Sequence, residues 1–235
     1  LMVYAILDGF DLGVGALHLT SKTDEDRRKA INSIGPLWDG NEVWLVTGGG
    51  ALFAAFPEAY ATAFSGFYLA LFLLLMGLIC RAIALEFRGK KPMAWWKSLW
   101  DSVFSIASAI SALLMGVALG NIALGLPLNE SHDFTGTFFS LLHPYALLVG
   151  VTVLVLFMMH GSLFLLLKNE GGLYTRLKKL TPRLVIAFYA LLALTTAGTF
   201  IAVPHVLDNL IALPVLFIFP AIGFLAAAGI LAAHR

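Results

Sequence analysis

The chain is poor in cysteine and in charge: Cys80 is its one cysteine, and charged residues fill 12% of its 235 positions. A lone cysteine closes no disulfide within the chain, and its place at the end of an apolar run reads as a small packed hydrophobe. With a net charge of +1 and no segment that interleaves Lys and Arg with aromatics, a nucleic-acid binder is excluded. Also missing are a phosphate-cradling glycine loop, a nucleophile elbow and the Cys/His spacing of a zinc site, so no metal site or self-contained catalytic centre is legible. No basic leader or small-residue cleavage site precedes the first apolar stretch, and His234-Arg235 closes another just as abruptly. The expectation is a chain truncated at both ends, without a signal peptide.

What the sequence has in excess is apolar surface. At 60% hydrophobic residues it holds more than one soluble core could hide, so lipid is its solvent. A spanning helix needs roughly 20 apolar residues, and seven stretches qualify: Leu1 to Leu19, Trp38 to Pro57, Thr62 to Cys80, Asp101 to Gly125, Leu142 to Leu167, Arg183 to Val203 and Leu210 to Ala233. The second is interrupted by Gly48-Gly49-Gly50 and starts among charged residues, a pattern that requires burial by other helices. The predicted fold class is all-α: a polytopic transmembrane bundle of about seven helices, one integral membrane domain over residues 1–235 with no soluble domain.

Positive charge sets the orientation, because cytoplasmic loops retain Lys and Arg. The loop after the first segment carries Lys22, Arg27, Arg28 and Lys29; that after the third, Arg81, Arg88, Lys90, Lys91 and Lys97; that after the fifth, Lys168, Arg176, Lys178, Lys179 and Arg183. With Arg235 these account for all 15 basic residues, while the alternate loops hold only Glu58, then Glu130 and Asp133, then Asp208. The basic loops are predicted to be cytoplasmic, with Leu1 toward the outside. Trp38, Trp95, Trp96 and Trp100 fall near the same cytoplasmic boundaries, where amphipathic rings anchor at headgroup level.

Four carboxylates stand out. Asp8 and Asp11 share a helical face, roughly 17 and 12 Å into the membrane counted back from Leu19. Charge at that depth must face the bundle interior, be partnered or be protonated; a proton or cation relay and a polar helix contact both fit, and Gly9 and Gly13 point to close helix packing. Asp39 and Glu42, at the start of the second segment, read either as helix capping or as the mouth of a proton path that continues to Asp11 and then Asp8. The path requires the first two segments to pack side by side. Asp101 reads as a helix cap, and Glu86 as a partner of Arg88 or Arg81.

The six histidines invite a haem reading, but their spacing opposes it. His143 and His160 lie about 25 Å apart at helical rise, His132 and His205 fall in outer loops, His234 is terminal and His18 sits at a boundary. His160, within the membrane, is a candidate proton carrier or partner contact. Gly116 and Gly120 read as close-packing positions.

The runs DGFDLGVG, INSIGPLWDGNEVWLVTGGGALFAAFPEAYATAFSGFYLALFLLLMGLICR and FRGK, followed by GVALGNIALGLPLN, resemble subunit II of the cytochrome bd quinol oxidases, including the cyanide-insensitive members. The similarity is strongest from Asp8 to Arg88. It implies a haem-free subunit that repeats the fold of subunit I, two four-helix bundles with a peripheral helix, of which this chain holds the first bundle and most of the second. The complex would oxidise quinol, reduce dioxygen to water and draw protons from the cytoplasm across a prokaryotic plasma (inner) membrane. The resemblance further implies that two b-type haems and haem d belong to partner subunit I, so no haem or metal ligand is expected in this chain. The resemblance associates Asp39 with proton supply, Trp38 with a structural quinone held by some members, and Asp8 and Asp11 with proton transfer or contact with subunit I. Small accessory subunits and membrane lipid are compatible partners. On the carboxylates alone, an ion-coupled secondary transporter and a structural scaffold remain alternatives.

Overall fold

The structure is a computed structural model that describes residues 1–204, 211–218, 221–223, 225, 226 and 229. Eight α-helices order the described chain: α1 (Met2–Leu17), α2 (Asp24–Ile34), α3 (Trp38–Ala55), α4 (Pro57–Gly66), α5 (Tyr68–Phe87), α6 (Ala94–Leu124), α7 (Pro144–Lys168) and α8 (Gly172–Ala202). Among the described residues, five stretches are long and apolar enough to cross a membrane: Met2–Thr20, Tyr68–Lys90, Ala94–Leu124, Pro144–Lys168 and Gly172–Ala202. The all-α, polytopic architecture stands. Of the seventh segment, Leu210 to Ala233, residues 211–218, 221–223, 225, 226 and 229 are described, whereas His205, Asp208, His234 and Arg235 lie outside the described residues.

Helix α1 is the centre of the bundle. Every residue from Asp8 to Gly15 is buried, because α6 and α7 pack along its sides and α3 lies against it, while α5 packs on α6 and α8 on α7. A helix buried all round must satisfy each polar group it carries. Small residues make the approach so close. A side chain on Gly13 would meet the backbone carbonyl of Phe157, and one on Gly161 would come within 2.5 Å of Val14 N. Gly116 and Gly120 of α6 likewise lie against Gly150 and Ala146 of α7, at 2.7 and 2.6 Å from an added Cβ. These are the close contacts expected of Gly9, Gly13, Gly116 and Gly120, and they gain dispersion contacts that bulkier residues would forbid. Hydroxyls join α7 to α8, through Tyr145 to Thr199 at 2.9 Å and Thr152 to Thr195 at 2.7 Å. The outer surface is apolar: Phe72, Leu75 and Met76 of α5 and Ile186, Leu194 and Ile201 of α8 are exposed.

Several boundaries differ from those read in the sequence. The predicted second segment is a continuous 18-residue helix through Gly48-Gly49-Gly50, but Asp39, Asn41, Glu42 and the glycines keep it out of the five apolar spans. None of its residues is fully buried within this chain, so neighbouring helices do not enclose it here as expected. The predicted third segment is divided at Phe67, between the short α4 and α5. Helix α6 begins seven residues before Asp101, and α8 begins before Arg176, so residues assigned to basic loops lie on helix ends. Run-length scanning ends a segment at the first charge, whereas backbone hydrogen bonding continues while a charge has a partner or reaches water. Helix α6 stops at Gly125, whose φ of 88° takes the chain into the left-handed region.

Candidate functional site

Two clusters of charged side chains interrupt this apolar interior, one deep and one at the end of the bundle where the basic residues gather. The deep cluster forms on α1. Asp8 and Asp11 are both 0% exposed. Asp8 accepts two hydrogen bonds from Arg81 of α5, from Nη2 to Oδ1 at 2.8 Å and from Nη1 to Oδ2 at 2.9 Å. Asp11 Oδ2 accepts from Asn41 Nδ2 at 2.7 Å, and the same amide donates to the carbonyl of Leu7 at 3.1 Å. Glu42, one residue on from Asn41, places Oε1 3.1 Å from Arg81 Nη1. The packing of α3 beside α1 that a carboxylate path requires is therefore present, and it brings Glu42 and Asp8 to one guanidinium, with Asp11 held beside them by Asn41. Asp39 sits apart, exposed in the first turn of α3 near the helix N-terminus, and Trp38 is half-buried at the first position of the helix.

Arg81 corrects the sequence reading. Expected in a loop, it lies inside α5 and is the largest fully buried side chain among the described residues. Its long side chain reaches Asp8 of α1, which it holds with two hydrogen bonds. The signal was available, since Arg81 is flanked by the helical, apolar run of ICRAIALEF and an arginine within a span calls for a partner.

The second cluster was not anticipated. Asp101 lies within α6, fully buried, instead of capping its start. Its Oδ1 stands 2.5 Å from His18 Nε2 and accepts from Arg88 Nε at 2.5 Å; its Oδ2 accepts from Arg27 Nη1 at 2.9 Å. Arg88 also donates to Asp24 at 2.6 Å, and Lys97 pairs with the same aspartate at 2.9 Å. Hydrogen bonds from Lys97 and then Arg88 hold the Asp24 carboxyl below its ordinary range. One carboxylate thus ties the ends of α1, α5 and α6 to α2. Glu86 is exposed, and its expected partners Arg88 and Arg81 are engaged elsewhere. Nearby Trp96 donates to the carbonyl of Phe87 at 2.8 Å, with Lys91 over its ring.

A family model described as cytochrome bd terminal oxidase subunit II matches residues 1–235. The chain belongs to this family. It is 41% identical to the cytochrome bd-I ubiquinol oxidase subunit 2 of Escherichia coli K12, over 86% of this chain and 54% of that protein. It is 38% identical to the cytochrome bd ubiquinol oxidase subunit 2 of Bacillus subtilis, over 84% of this chain and 59% of that one. It is 36% identical to a probable cytochrome oxidase subunit 2 of Haemophilus influenzae, over 97% and 68%. The chain spans about half the length of the Escherichia coli relative.

Three of the described histidines have partners or neighbours of their own within the bundle. His18 is committed to Asp101, His143 Nδ1 accepts the Tyr145 N–H at the start of α7, and His160 packs edge-on against Phe10 with ring centroids 5.6 Å apart. Among the described residues no group of three or more His, Cys, Asp or Glu side chains is placed to hold a metal.

Proposed function

We propose that this chain serves as subunit II of a cytochrome bd-type terminal oxidase, a complex that oxidises quinol and reduces dioxygen to water. The match of the family model over residues 1–235 carries the reading, and two of the relatives are ubiquinol oxidase subunits by name. The two b-type haems and haem d are proposed for partner subunit I, with the complex in a prokaryotic inner membrane and the basic loops cytoplasmic. Family support of this kind is lacking for the ion-coupled transporter.

Reduction of dioxygen to water consumes protons as well as electrons, and we assign part of the supply to the carboxyl cluster. Asp39 lies at the proposed cytoplasmic start of α3, Glu42 follows about one turn further in, and Asp11 and Asp8 complete the series within the bundle. Its support is the placement of Glu42 and Asp8 on Arg81, with Asp11 bonded to Asn41, the residue next to Glu42. A structural quinone beside Trp38, contact of the uncovered α3 face with subunit I, and small accessory subunits belong to the same proposal. The test is purification of the full-length protein through a tag in mild detergent, with a reduced-minus-oxidised visible spectrum and a gel. A larger helical partner with b-type and d-type haem bands is the expected result; a colourless protein from an extract in which the complex survives would overturn the assignment.

A further inference from the structure

Asp8 and Asp11 lie three residues apart on one helix, yet their surroundings give them different chemistry. Both oxygens of Asp8 are taken by Arg81, and neither side chain is exposed. Asp11 has one oxygen bonded to Asn41, while its Oδ1 is buried with no hydrogen-bond partner among the described residues. Glu42 reaches the edge of Arg81, and its side chain keeps 25% exposure. Asp8 and Glu42 therefore contact one cation, and Asp11, about one helical turn from Asp8, has no cation of its own among the described residues. The other groups on the surrounding helices do not change this. Helix α1 brings the buried Tyr4 hydroxyl, α6 the buried Ser108 and Ser111 hydroxyls, and α7 His160 against Phe10, while Asp39 on α3 is exposed.

A guanidinium does not lose its proton in a protein, and a two-pronged pair is the strongest arrangement it makes with a carboxylate. A buried carboxylate without a partner is strongly disfavoured as an anion and takes up a proton. One guanidinium neutralises one carboxylate. We propose that Arg81 is a positioning residue that fixes Asp8 as a permanent anion and thereby confines proton exchange to Glu42 and Asp11. Glu42, in contact with the exterior, is the entry; Asp11, with a free oxygen, is the acceptor. A proton lost by Glu42 and gained by Asp11 leaves the net charge of the cluster unchanged, so Arg81 and Asp8 need not move.

The inference rests on the proton-supply reading, and the assembled full-length complex tests both through quinol-driven oxygen uptake at several pH values, proton uptake, and the haem spectrum as a check on assembly. Asp11→Asn and Glu42→Gln should each slow turnover on the order of 100-fold and flatten its pH profile, as loss of a proton-transferring group does. Asp8→Asn should also be slow, because the released Arg81 then holds Glu42 or Asp11 ionised. Removing both charges, in Asp8→Asn/Arg81→Gln, should recover at least about ten-fold over Asp8→Asn. A double variant that assembles but turns over no faster than Asp8→Asn would make Asp8 a carrier and overturn the inference. If Asp39→Asn, Asp11→Asn and Glu42→Gln all keep full turnover and proton uptake, the proton-supply reading itself fails. Should the double variant not assemble, the infrared absorption of protonated carboxyl groups decides: it should fall in Asp11→Asn and in Glu42→Gln relative to the parent complex, and an unchanged band in both would overturn the assignment.

Discussion

His18 Nε2 stands 2.5 Å from Asp101 Oδ1, although the two residues are 83 positions apart. The contact pins the end of α1 to α6 and shares its carboxylate with Arg88 and Arg27. Asp101→Asn would leave buried Arg88 without its main counter-charge, so a destabilisation of about 3–5 kcal/mol is expected, the range for breaking a buried pair from one side. His18→Ala, which leaves both arginine contacts in place, should cost less. Thermal denaturation of the purified complex, followed by the haem spectrum, ranks the two; equal losses would mean that Asp101 acts only through His18.

Arg81→Met should be among the most damaging single substitutions in the chain. It strands Asp8 at the centre of the bundle and releases Glu42, and the expected loss is again about 3–5 kcal/mol. Arg81→Lys keeps the charge but not the two-pronged geometry and should retain more stability. The yield of assembled complex and its melting temperature provide the measurement.

Gly13→Val places a side chain against the backbone carbonyl of Phe157, which cannot rotate away. Overpacking of this kind costs about 1–3 kcal/mol or more. Gly49→Ala, on the uncovered face of α3 with open space at its Cβ position, should leave the folding of this chain intact. Limited proteolysis of the two variants in membranes separates them.

Acid should loosen the outer part of the second cluster through Asp24. Its folded carboxyl lies below the ordinary value because Lys97 and Arg88 bond the ionised form. The contribution is therefore present above the unfolded pKa and is lost as the pH falls through the lower, folded one. Because the Asp24 side chain is 54% exposed, the effect is small and screened by salt. Asp24→Asn should remove that part of the acid dependence, read from detergent denaturation midpoints across a pH series.

The sequence by itself determined that this is a helical protein of the membrane, because 60% hydrophobic residues in long runs leave only lipid as a solvent and only closed backbone hydrogen bonding as a structure. It also pointed to Asp8, Asp11 and Glu42, since acids within apolar runs must have company, and the family was legible in its motifs. It did not show where helices end around charges: Arg81 and Asp101 read as loop and cap because one-dimensional hydropathy treats every charge as a boundary. Their true places depend on partners 73 and 83 positions away. Only the tertiary structure decided which acid met which cation, that Arg81 takes Asp8 and leaves Asp11 to Asn41, and that Asp39 stays apart. The physical reason is that a charge can be buried only where the folded chain brings it a counter-charge, and periodicity along a helix carries no information about what another helix presents to it.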